Sequence, residues 1–383
     1  MSEVAYPKFS DAEYQRRRRL VWDMMKQAEV EALVICGSGN TGIRVHYLSN
    51  YPAERPTYLI YPIDGEPCLL VSLFNHIQCT KAMAVVNDVQ WLRRRAAEKV
   101  AETLKAKGLT ESQIGLVGSD SIPYPTGTAL RQLLPGVTFK ELTEGYDWIR
   151  WIRSKEELDW FSRSARLTDL TVEALEKNVK PGLSEYDLSA IIHNAFLHEG
   201  GTLGIHFLSS TQMENPDRCV PWQYLTPRIL RKGDVVITEI TVKNWGYDAQ
   251  IHRPFAVGTK PTPLYQKLFD TALECFERVA KALKPGATTE DILTAGSVIE
   301  EEGFAVYDSL LHGERAGNPE LGTYGSAHVK EQFTFKENMV VVIQPNPITK
   351  DQKAGLQLGA ATLVTPTGAK CLHNYPFKFP VCG

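Results

Sequence analysis

The chain has 383 residues, and two domains are the default expectation because a single hydrophobic core seldom organises so long a chain. Apolar residues make up 43% of the sequence and charged residues 23%, which is ordinary for a globular protein. The net charge of −3 favours neither nucleic acid nor an anionic membrane as a partner, and no stretch approaches the roughly 20 apolar residues of a membrane span.

The N-terminus and the cysteines indicate the compartment. The first residues, MSEVAYPKFSDAEY, contain no apolar run of the kind that forms a signal-peptide core. The seven cysteines form no Cys-x-x-Cys pair, and an odd number fits reduced thiols better than a disulfide framework. We therefore expect a cytoplasmic protein.

The first part of the chain, to about residue 150, is predicted to be a mixed α/β unit. A helix capped at Ser10-Asp11 opens it. The run Arg16–Arg19 lies on this helix, and a solvated helix face is favoured over a nucleic-acid contact. A basic helix is expected at about 95–107. Short apolar runs predict buried strands at 32–36, 57–61, 68–72 and 115–118.

The rest of the chain contains a faint internal repeat. The sequence KPGLSEYDL begins at residue 180 and its counterpart KPGATTEDI at 284, while DVVITE ends at 239 and MVVVIQ at 344. In both copies a Pro-Gly turn and a Ser or Thr cap start a helix. The nearly equal offsets predict two related halves, with Glu239 and Gln344 facing each other across a pseudo-twofold axis. The alternative is chance, since such turns and valine strands are common.

Residues 233–258, GDVVITEITVKNWGYDAQIHRPFAVG, predict two strands around a turn at Asn244-Trp245-Gly246. This frame resembles the creatinase/prolidase/methionine aminopeptidase (M24-type, pita-bread) family, whose pattern is roughly GD-apolar-apolar-apolar-D…GY..D.TR.F.VG. The segment IRSKEELD also resembles the start of the family's catalytic domain. The resemblance implies an α+β protein: an N-terminal α/β domain, residues 1–152, and a pita-bread domain, residues 153–383, with a pseudo-twofold internal repeat.

The resemblance also implies a metal site, and the sequence departs from it. The family's peptidases hold two divalent ions between two aspartates, a histidine and two glutamates. The matching positions here, the third of them in LLHGERAG, are Glu239, Gln250, His312, Gln344 and Gly359. Divalent cations need anionic oxygen ligands, and neutral amides compensate no charge. We therefore expect no metal and no other cofactor, while a single ion on Glu239 and His312 stays open as an alternative.

The candidate catalytic residues are Glu239, His312 and His252. Glu239 lies on an apolar strand, where burial raises a carboxyl pKa towards the range useful for proton transfer. The alternative is a buried acid paired with Arg253. His312 keeps the family's histidine position, and His252 shares a strand face with Gln250. Either histidine could act as a base near neutral pH, or could simply satisfy backbone groups.

Further residues are candidates for substrate binding: Gln250, Gln344, Trp222, Tyr247, His206 and Arg55. The two glutamines would orient the substrate, unless they only bond each other in the old metal site. The two aromatic side chains would wall the pocket. His206 lies near the strand that lines the peptidases' specificity pocket. The loop around Arg55 resembles one that completes the active site of a dimer partner.

The sequence predicts a metal-independent hydrolase or lyase of a small polar metabolite, creatinase-like in class, that cleaves a C–N or similar carbon–heteroatom bond. The histidine base that creatinase carries shortly before the GD strand is missing, and Pro221-Trp222 stands there. Two alternatives stay open: a mononuclear metal-dependent Xaa-Pro-type peptidase, and a non-catalytic protein that binds a small molecule or peptide. We expect a homodimer with the N-terminal domain near the partner's active site, and no nucleic acid or membrane partner.

Overall fold

The structure, a computed structural model, describes residues 6–313, 319–322 and 332–383. The chain divides into two compact units, Met1–Trp151 and Ile152–Gly383. None of the helices in the described residues combines the length and hydrophobicity that a membrane span requires.

The first unit is built around one mixed sheet, as the apolar runs predict. Within residues 6–151 its strands are β1 Ala32–Gly37, β2 Thr57–Pro62, β3 Cys68–Val71, β4 Asp88–Trp91, β5 Gln113–Val117 and β6 Thr138–Glu141, in the order β4-β3-β2-β1-β5-β6. Its helices are α1 Asp11–Gln27, α2 Ile43–Ser49, α3 Ile77–Met83, α4 Ala96–Ala106, α5 Tyr124–Leu133 and α6 Thr143–Trp151. Successive residues of β1 enter two different core clusters, so both faces of this strand are buried and its sequence is continuously apolar.

Helix α1 differs in one respect from the solvated face that the arginine run predicts. Ser10 caps the helix as expected, and Arg18 is exposed. Arg17, however, is fully buried: its Nε donates to Glu13 Oε1 at 2.7 Å and its Nη1 donates to the Tyr47 carbonyl oxygen at 2.9 Å. One arginine of the run is therefore part of the domain interior.

The second unit combines helices with one large sheet. Its helices are α7 Lys155–Asn178, α8 Glu185–Leu197, α9 Pro263–Ala282, α10 Thr289–Gly296 and α11 Val298–Glu301. Its long strands are β7 Thr202–Gln212, β8 Asp234–Asn244 and β9 Tyr247–Val257. The shorter strands are β10 Ala305–Val306, β11 Leu311–His312, β12 Glu320–Leu321, β13 Val340–Ile343, β14 Pro347–Ile348, β15 Gly359–Thr365, β16 Gly368–Cys371 and β17 Val381–Cys382.

The internal repeat is confirmed by the arrangement of these elements. The main sheet path runs β12-β11-β13-β15-β9-β8-β7, so the repeated strands β8 and β13 flank the central antiparallel pair β9 and β15. Helices α8 and α10 begin with the same capping box, in which Ser184 pairs with Asp187 and Thr288 with Asp291. The α/β unit followed by a two-half α+β unit is the predicted fold.

The predicted hairpin positions the functional face of the sheet. Strands β8 and β9 pair in antiparallel register around the turn at Trp245-Gly246. On one face, residues such as Val236, Ile240 and Ile251 belong to a core cluster with residues of α7 and α8. The alternate positions point to the other face, and they carry polar side chains, among them Glu239 and His252.

Candidate active site

Three predicted site positions stand side by side on neighbouring strands. Glu239 on β8 pairs directly with His252 on β9, and His252 pairs with Gly359 on β15. Directly paired residues of an antiparallel sheet share a face, and Gln250 shares it as well because it precedes His252 by two residues. The sheet register therefore brings together four of the positions that the sequence singled out.

The Gln250 side chain links the acid to the histidine. Its Nε2 donates to Glu239 Oε1 at 2.6 Å and lies 3.2 Å from His252 Nε2, which is itself 3.9 Å from Glu239 Oε2. An amide nitrogen carries two hydrogens, so it can donate to both groups. The neutral His252 ring then accepts at Nε2 and carries its proton on Nδ1. That Nδ1 has no hydrogen-bond partner in the described part of the chain, although the ring is fully buried.

The Glu239 carboxyl lies where its charge is disfavoured. Burial raises the pKa of Glu239 to about 7, and the negative charge of nearby Asp308 acts in the same direction. Hydrogen bonds from Gln250 and Gln357 oppose this rise by stabilising the carboxylate. A carboxyl with its pKa in this range suits a group that both accepts and returns a proton.

Arg253 is not the ion-pair partner of Glu239. Its guanidinium is fully buried and donates to four backbone carbonyl oxygens, those of His252, Gly359, Tyr375 and Pro376. Arg253 pairs with Thr238 across the hairpin and therefore points to the face opposite Glu239. It connects strands β9 and β15 to the segment near the C-terminus.

His252 is held neutral by its surroundings. Burial lowers the pKa of the ring well below its usual value, and the positive charges of His312, Arg253 and His373 act in the same direction. Such a ring is a poor proton acceptor at neutral pH, and its Nδ1–H is a buried donor. The structure thus favours His252 as a hydrogen-bond donor to a ligand rather than as a general base.

His312 and Gln344 form a second linked pair. Nδ1 of His312 is 2.6 Å from the Gly313 carbonyl oxygen, and Nε2 is 3.1 Å from Gln344 Oε1. Gln344 Nε2 in turn donates to the Ser309 hydroxyl at 3.3 Å. Both ring nitrogens of His312 thus lie within hydrogen-bond distance of an oxygen atom. The two glutamines therefore do not bond each other, since each serves a different partner.

Gly359 makes room for His252. A Cβ at this position would lie 2.7 Å from His252 Nδ1 and 2.5 Å from the Ile343 carbonyl oxygen, and both distances are too short for real contacts. The imidazole ring thus fills the space in which a side chain at position 359 would begin. The His252 ring and the Ile343 carbonyl oxygen together leave no room for a side chain at position 359.

The donor set does not fit a two-metal centre. Of the four acidic positions of the family pattern, only Glu239 is a carboxylate, and its Oε1 already accepts a hydrogen bond. Positions 250 and 344 offer neutral amides, and position 359 has no room for a side chain. Among residues 6–313, 319–322 and 332–383, no three His, Cys, Asp or Glu side chains come together as metal ligands do. The absence of a metal nevertheless stays a prediction, and residues 314–317 of the LLHGERAG motif lie outside the described residues.

Two predicted substrate-binding residues lie away from this site. Tyr247 is buried at the hairpin turn, where its hydroxyl donates to Glu157 Oε1 at 2.9 Å and its ring packs on Phe161. His206 pairs with Ile240, so it points to the face covered by α8, 5.4 Å from the His193 ring. Burial and His193 lower the pKa of His206 to about 4. Neither side chain reaches the Glu239 face, which corrects both assignments.

The other two candidates lie on the surface. Trp222 is 42% exposed and stacks on the Arg218 guanidinium, 4.0 Å from the ring centre. It is therefore not a core tryptophan, and its role as a pocket wall stays a prediction. Arg55 is exposed in the loop before β2, so it is accessible as the dimer hypothesis requires. That hypothesis also stays a prediction.

Sequence reasoning missed several residues at the site, namely Asp308, Asn346, Gln357 and Phe207. Phe207, the neighbour of His206, is the residue of β7 that pairs with Glu239 and shares its face. Asn346 and Gln357 are buried, and each lies two residues from a recognised position, Gln344 or Gly359. In an extended chain that spacing indicates a shared face, and it was the available signal.

Comparison with known proteins agrees with this architecture. Residues 159–366 match the description "Metallopeptidase family M24", and residues 16–154 match "Creatinase/Prolidase N-terminal domain". The chain belongs to metallopeptidase family M24. This M24 member is therefore assigned to a hydrolase class, as its resemblance implied.

Individual relatives of this M24 protein are distant in sequence and close in fold. An Xaa-Pro dipeptidase from Pyrococcus furiosus is 25% identical over 337 residues, which cover 86% of this chain and 90% of the relative. The X-Pro aminopeptidase structure from Thermotoga maritima superposes with a TM-score of 0.81 at 15% identity, covering 95% of this chain and 99% of the other. The prolidase structure from Pyrococcus horikoshii superposes with a TM-score of 0.77 at 19% identity, covering 94% of this chain and 99% of the other. These structures show the shared fold.

Proposed function

We propose that this protein hydrolyses the amide C–N bond of a small dipeptide-like molecule, with Glu239 as the group that transfers the proton. The names of its relatives, dipeptidases and prolidases, favour peptide hydrolysis over a creatinase-like activity or a lyase. The single observation that carries the mechanism is the Glu239 carboxyl, buried beside Gln250 and His252 with a pKa of about 7.

The proposed reaction uses water and the residues of the sheet face. Ionised Glu239 takes a proton from a water molecule while the water oxygen bonds to the amide carbon. The protonated Glu239 then returns this proton to the nitrogen of the leaving amine as the C–N bond breaks. Atoms and charges balance, because one water is consumed and an acid and an amine are formed.

Neutral side chains would orient the amide in this reaction. The Nδ1–H of His252 is a buried donor without a partner among the described residues, and we propose that it helps to orient the amide once the substrate is bound. Gln250 holds both His252 and the Glu239 carboxyl through one amide nitrogen. Phe207, half-buried on the same face, offers apolar contact to the substrate.

The test is dipeptide hydrolysis with purified protein, using Xaa-Pro dipeptides and dipeptides without proline. Glu239→Gln should lower kcat by about 10²-fold or more while leaving the fold intact by circular dichroism. kcat/KM should rise with pH through about 7, because the ionised carboxylate starts the reaction. Unchanged turnover in the variant would remove Glu239 from the mechanism.

The mononuclear peptidase is the second candidate, because the relatives' names favour a peptidase and because His312 keeps the family's histidine position. Elemental analysis of protein purified without chelator separates the two possibilities. We expect well under one equivalent of transition metal and no stimulation by manganese, cobalt or zinc. A full equivalent with metal-dependent turnover would establish the mononuclear peptidase instead, and no turnover of any amide would favour the binding protein.

A further inference from the structure

The backbone carbonyl oxygen of Gln250 lies where the strand pairing beside it ends. Among the described residues, β15 pairs with β9 only as far as Ile251. Ala361, the next residue of β15, accepts from the backbone N–H of Leu372 instead, at 3.0 Å. The Gln250 carbonyl oxygen therefore needs a donor other than a neighbouring strand, because the residue is buried and an unpaired backbone group there costs free energy.

His373 supplies this donor. Its Nε2 is 2.9 Å from the Gln250 carbonyl oxygen, and its Nδ1 is 2.8 Å from Asp169 Oδ1. A carbonyl oxygen only accepts, so the first hydrogen bond requires a hydrogen on Nε2. Asp169 Oδ2 in turn accepts from the backbone N–H of Asn374 at 2.7 Å. Both side chains are buried, and the ring is thus fixed at its two nitrogens.

Helix α7 holds the backbone on both sides of Gln250. Asp169, which anchors the His373 ring, belongs to this helix, and so does its neighbour Thr168. The Thr168 hydroxyl is 2.9 Å from the carbonyl oxygen of Ala249. The two peptide groups that flank the Cα atom of Gln250 are therefore each held by a side chain. Their orientation sets the direction in which the Gln250 side chain leaves the strand.

We propose that His373 is a positioning residue of the candidate active site, acting through its hydrogen bond to the Gln250 carbonyl oxygen. By fixing this peptide group it fixes the Gln250 amide, which in turn holds the Glu239 carboxyl and the His252 ring. This inference rests on the proposed function and deepens it, since it names a residue that controls the geometry of proton transfer without touching the substrate.

The Gln250 amide tolerates little displacement. Its nitrogen is 2.6 Å from Glu239 Oε1 and 3.2 Å from His252 Nε2. A displacement of about 1 Å takes either contact beyond hydrogen-bond range, and misplacements of this size can lower turnover by about 10²-fold. Because Glu239 acts in the chemical step, the loss should appear in kcat rather than in KM.

The test uses two amides that each replace one nitrogen of the imidazole. In His373→Gln the amide nitrogen takes the place of Nε2 and can donate to Gln250. In His373→Asn it takes the place of Nδ1 and can donate only to Asp169. We expect kcat for dipeptide hydrolysis to fall less than about threefold in His373→Gln and about tenfold or more in His373→Asn, with KM changed less than about threefold in both.

The free energy of unfolding should follow the opposite order. His373→Asn keeps a donor for the buried Asp169 carboxylate, whereas His373→Gln removes it and should be the less stable variant in urea. If His373 only stabilised the fold, the less stable variant would also be the less active one. The control His198→Asn, exposed just beyond α8, should change neither kcat nor stability.

A spectroscopic measurement without substrate examines the same contact. In protein labelled with ¹⁵N at the glutamine side chains, the amide signal that is absent from the Gln250→Met spectrum belongs to Gln250. This signal should move by more than its line width in His373→Asn and stay in place in His373→Gln.

Equal kcat values in the two His373 variants, or an unmoved Gln250 signal in His373→Asn, would overturn the positioning role. Asp169→Asn is the second probe should His373→Asn not fold. Its amide removes the ion pair and leaves the Nε2 donor, so kcat should stay within about threefold of the wild type. A loss of about tenfold would show that the ion pair matters instead of the Gln250 contact.

Failure of the two proposals is distinguishable. A Gln250 signal that responds as expected in a protein that cleaves no dipeptide defeats the proposed function and leaves the positioning of Gln250 standing. Dipeptide cleavage together with an unresponsive signal defeats the positioning role alone.

Discussion

The buried Glu239 carboxyl makes a quantitative prediction about stability. Its pKa rises from an ordinary 4.5 to about 7 in the folded protein, and each pKa unit corresponds to about 1.4 kcal/mol. Between these pH values the folded state holds a proton that the unfolded state has released. The free energy of unfolding therefore falls as pH rises, by about 3 kcal/mol in total above pH 7. The stabilisation is fully present below pH 4.5.

Glu239→Gln removes this dependence because glutamine is close to isosteric and does not ionise. The difference in unfolding free energy between variant and wild type should stay constant below about pH 4. It should then shift in favour of the variant by about 3 kcal/mol by pH 8.5. Subtracting the two proteins cancels the titration of other groups, provided that the substitution leaves them in place.

Urea unfolding monitored by circular dichroism at five pH values, at one protein concentration, measures the effect. The matched control is Glu277→Gln on the exposed face of α9, for which we expect a flat difference. A Glu239→Gln difference that varies by less than about 0.5 kcal/mol from pH 5 to pH 8.5 would refute the reasoning. The carboxyl would then have an ordinary pKa.

Three further results are expected. Gly359→Ala should lower the free energy of unfolding by about 1–3 kcal/mol in urea, since its methyl group overlaps the Ile343 carbonyl oxygen and His252. Adding His252→Ala should give a non-additive double mutant, and strict additivity would contradict the contact. Arg253→Lys should lower the free energy of unfolding, measured by thermal unfolding, by about 2 kcal/mol because lysine cannot reach four carbonyl oxygens. An unchanged melting temperature would contradict a stabilising role of the Arg253 hydrogen bonds. Mixing Arg55→Ala with Glu239→Gln chains should restore partial activity if a dimer shares its sites, and inactive verified heterodimers would exclude sharing.

The fold was predictable because local signals and the repeat agreed. The turn at Trp245-Gly246, the caps at Ser184 and Thr288, and the equal offsets each predicted an element that the structure contains. These signals are local and independent of partner strands. They can therefore be recognised without knowing how the elements pack in the tertiary structure.

The site was only partly predictable. Glu239, Gln250 and His252 lie on one long hairpin, so alternation alone places them on a common face. His206 was assigned from the family resemblance alone, which does not specify the strand face, and the register places it opposite Ile240 on the other face.

Asp308 could not be found in the same way. It lies outside the regular strands, and its electrostatic effect on Glu239 follows from the tertiary structure. The sequence shows no periodicity that connects Asp308 to Glu239.

The close packing around Gly359 limits which substitutions the centre of the sheet accepts. A Cβ at position 359 would lie 2.5 Å from the Ile343 carbonyl oxygen as well as 2.7 Å from His252 Nδ1, so a smaller residue at 252 removes only one of the two collisions. Restoring an acid at position 359 therefore also requires the backbone at Ile343 to move. An engineered metal site at this position needs both changes together.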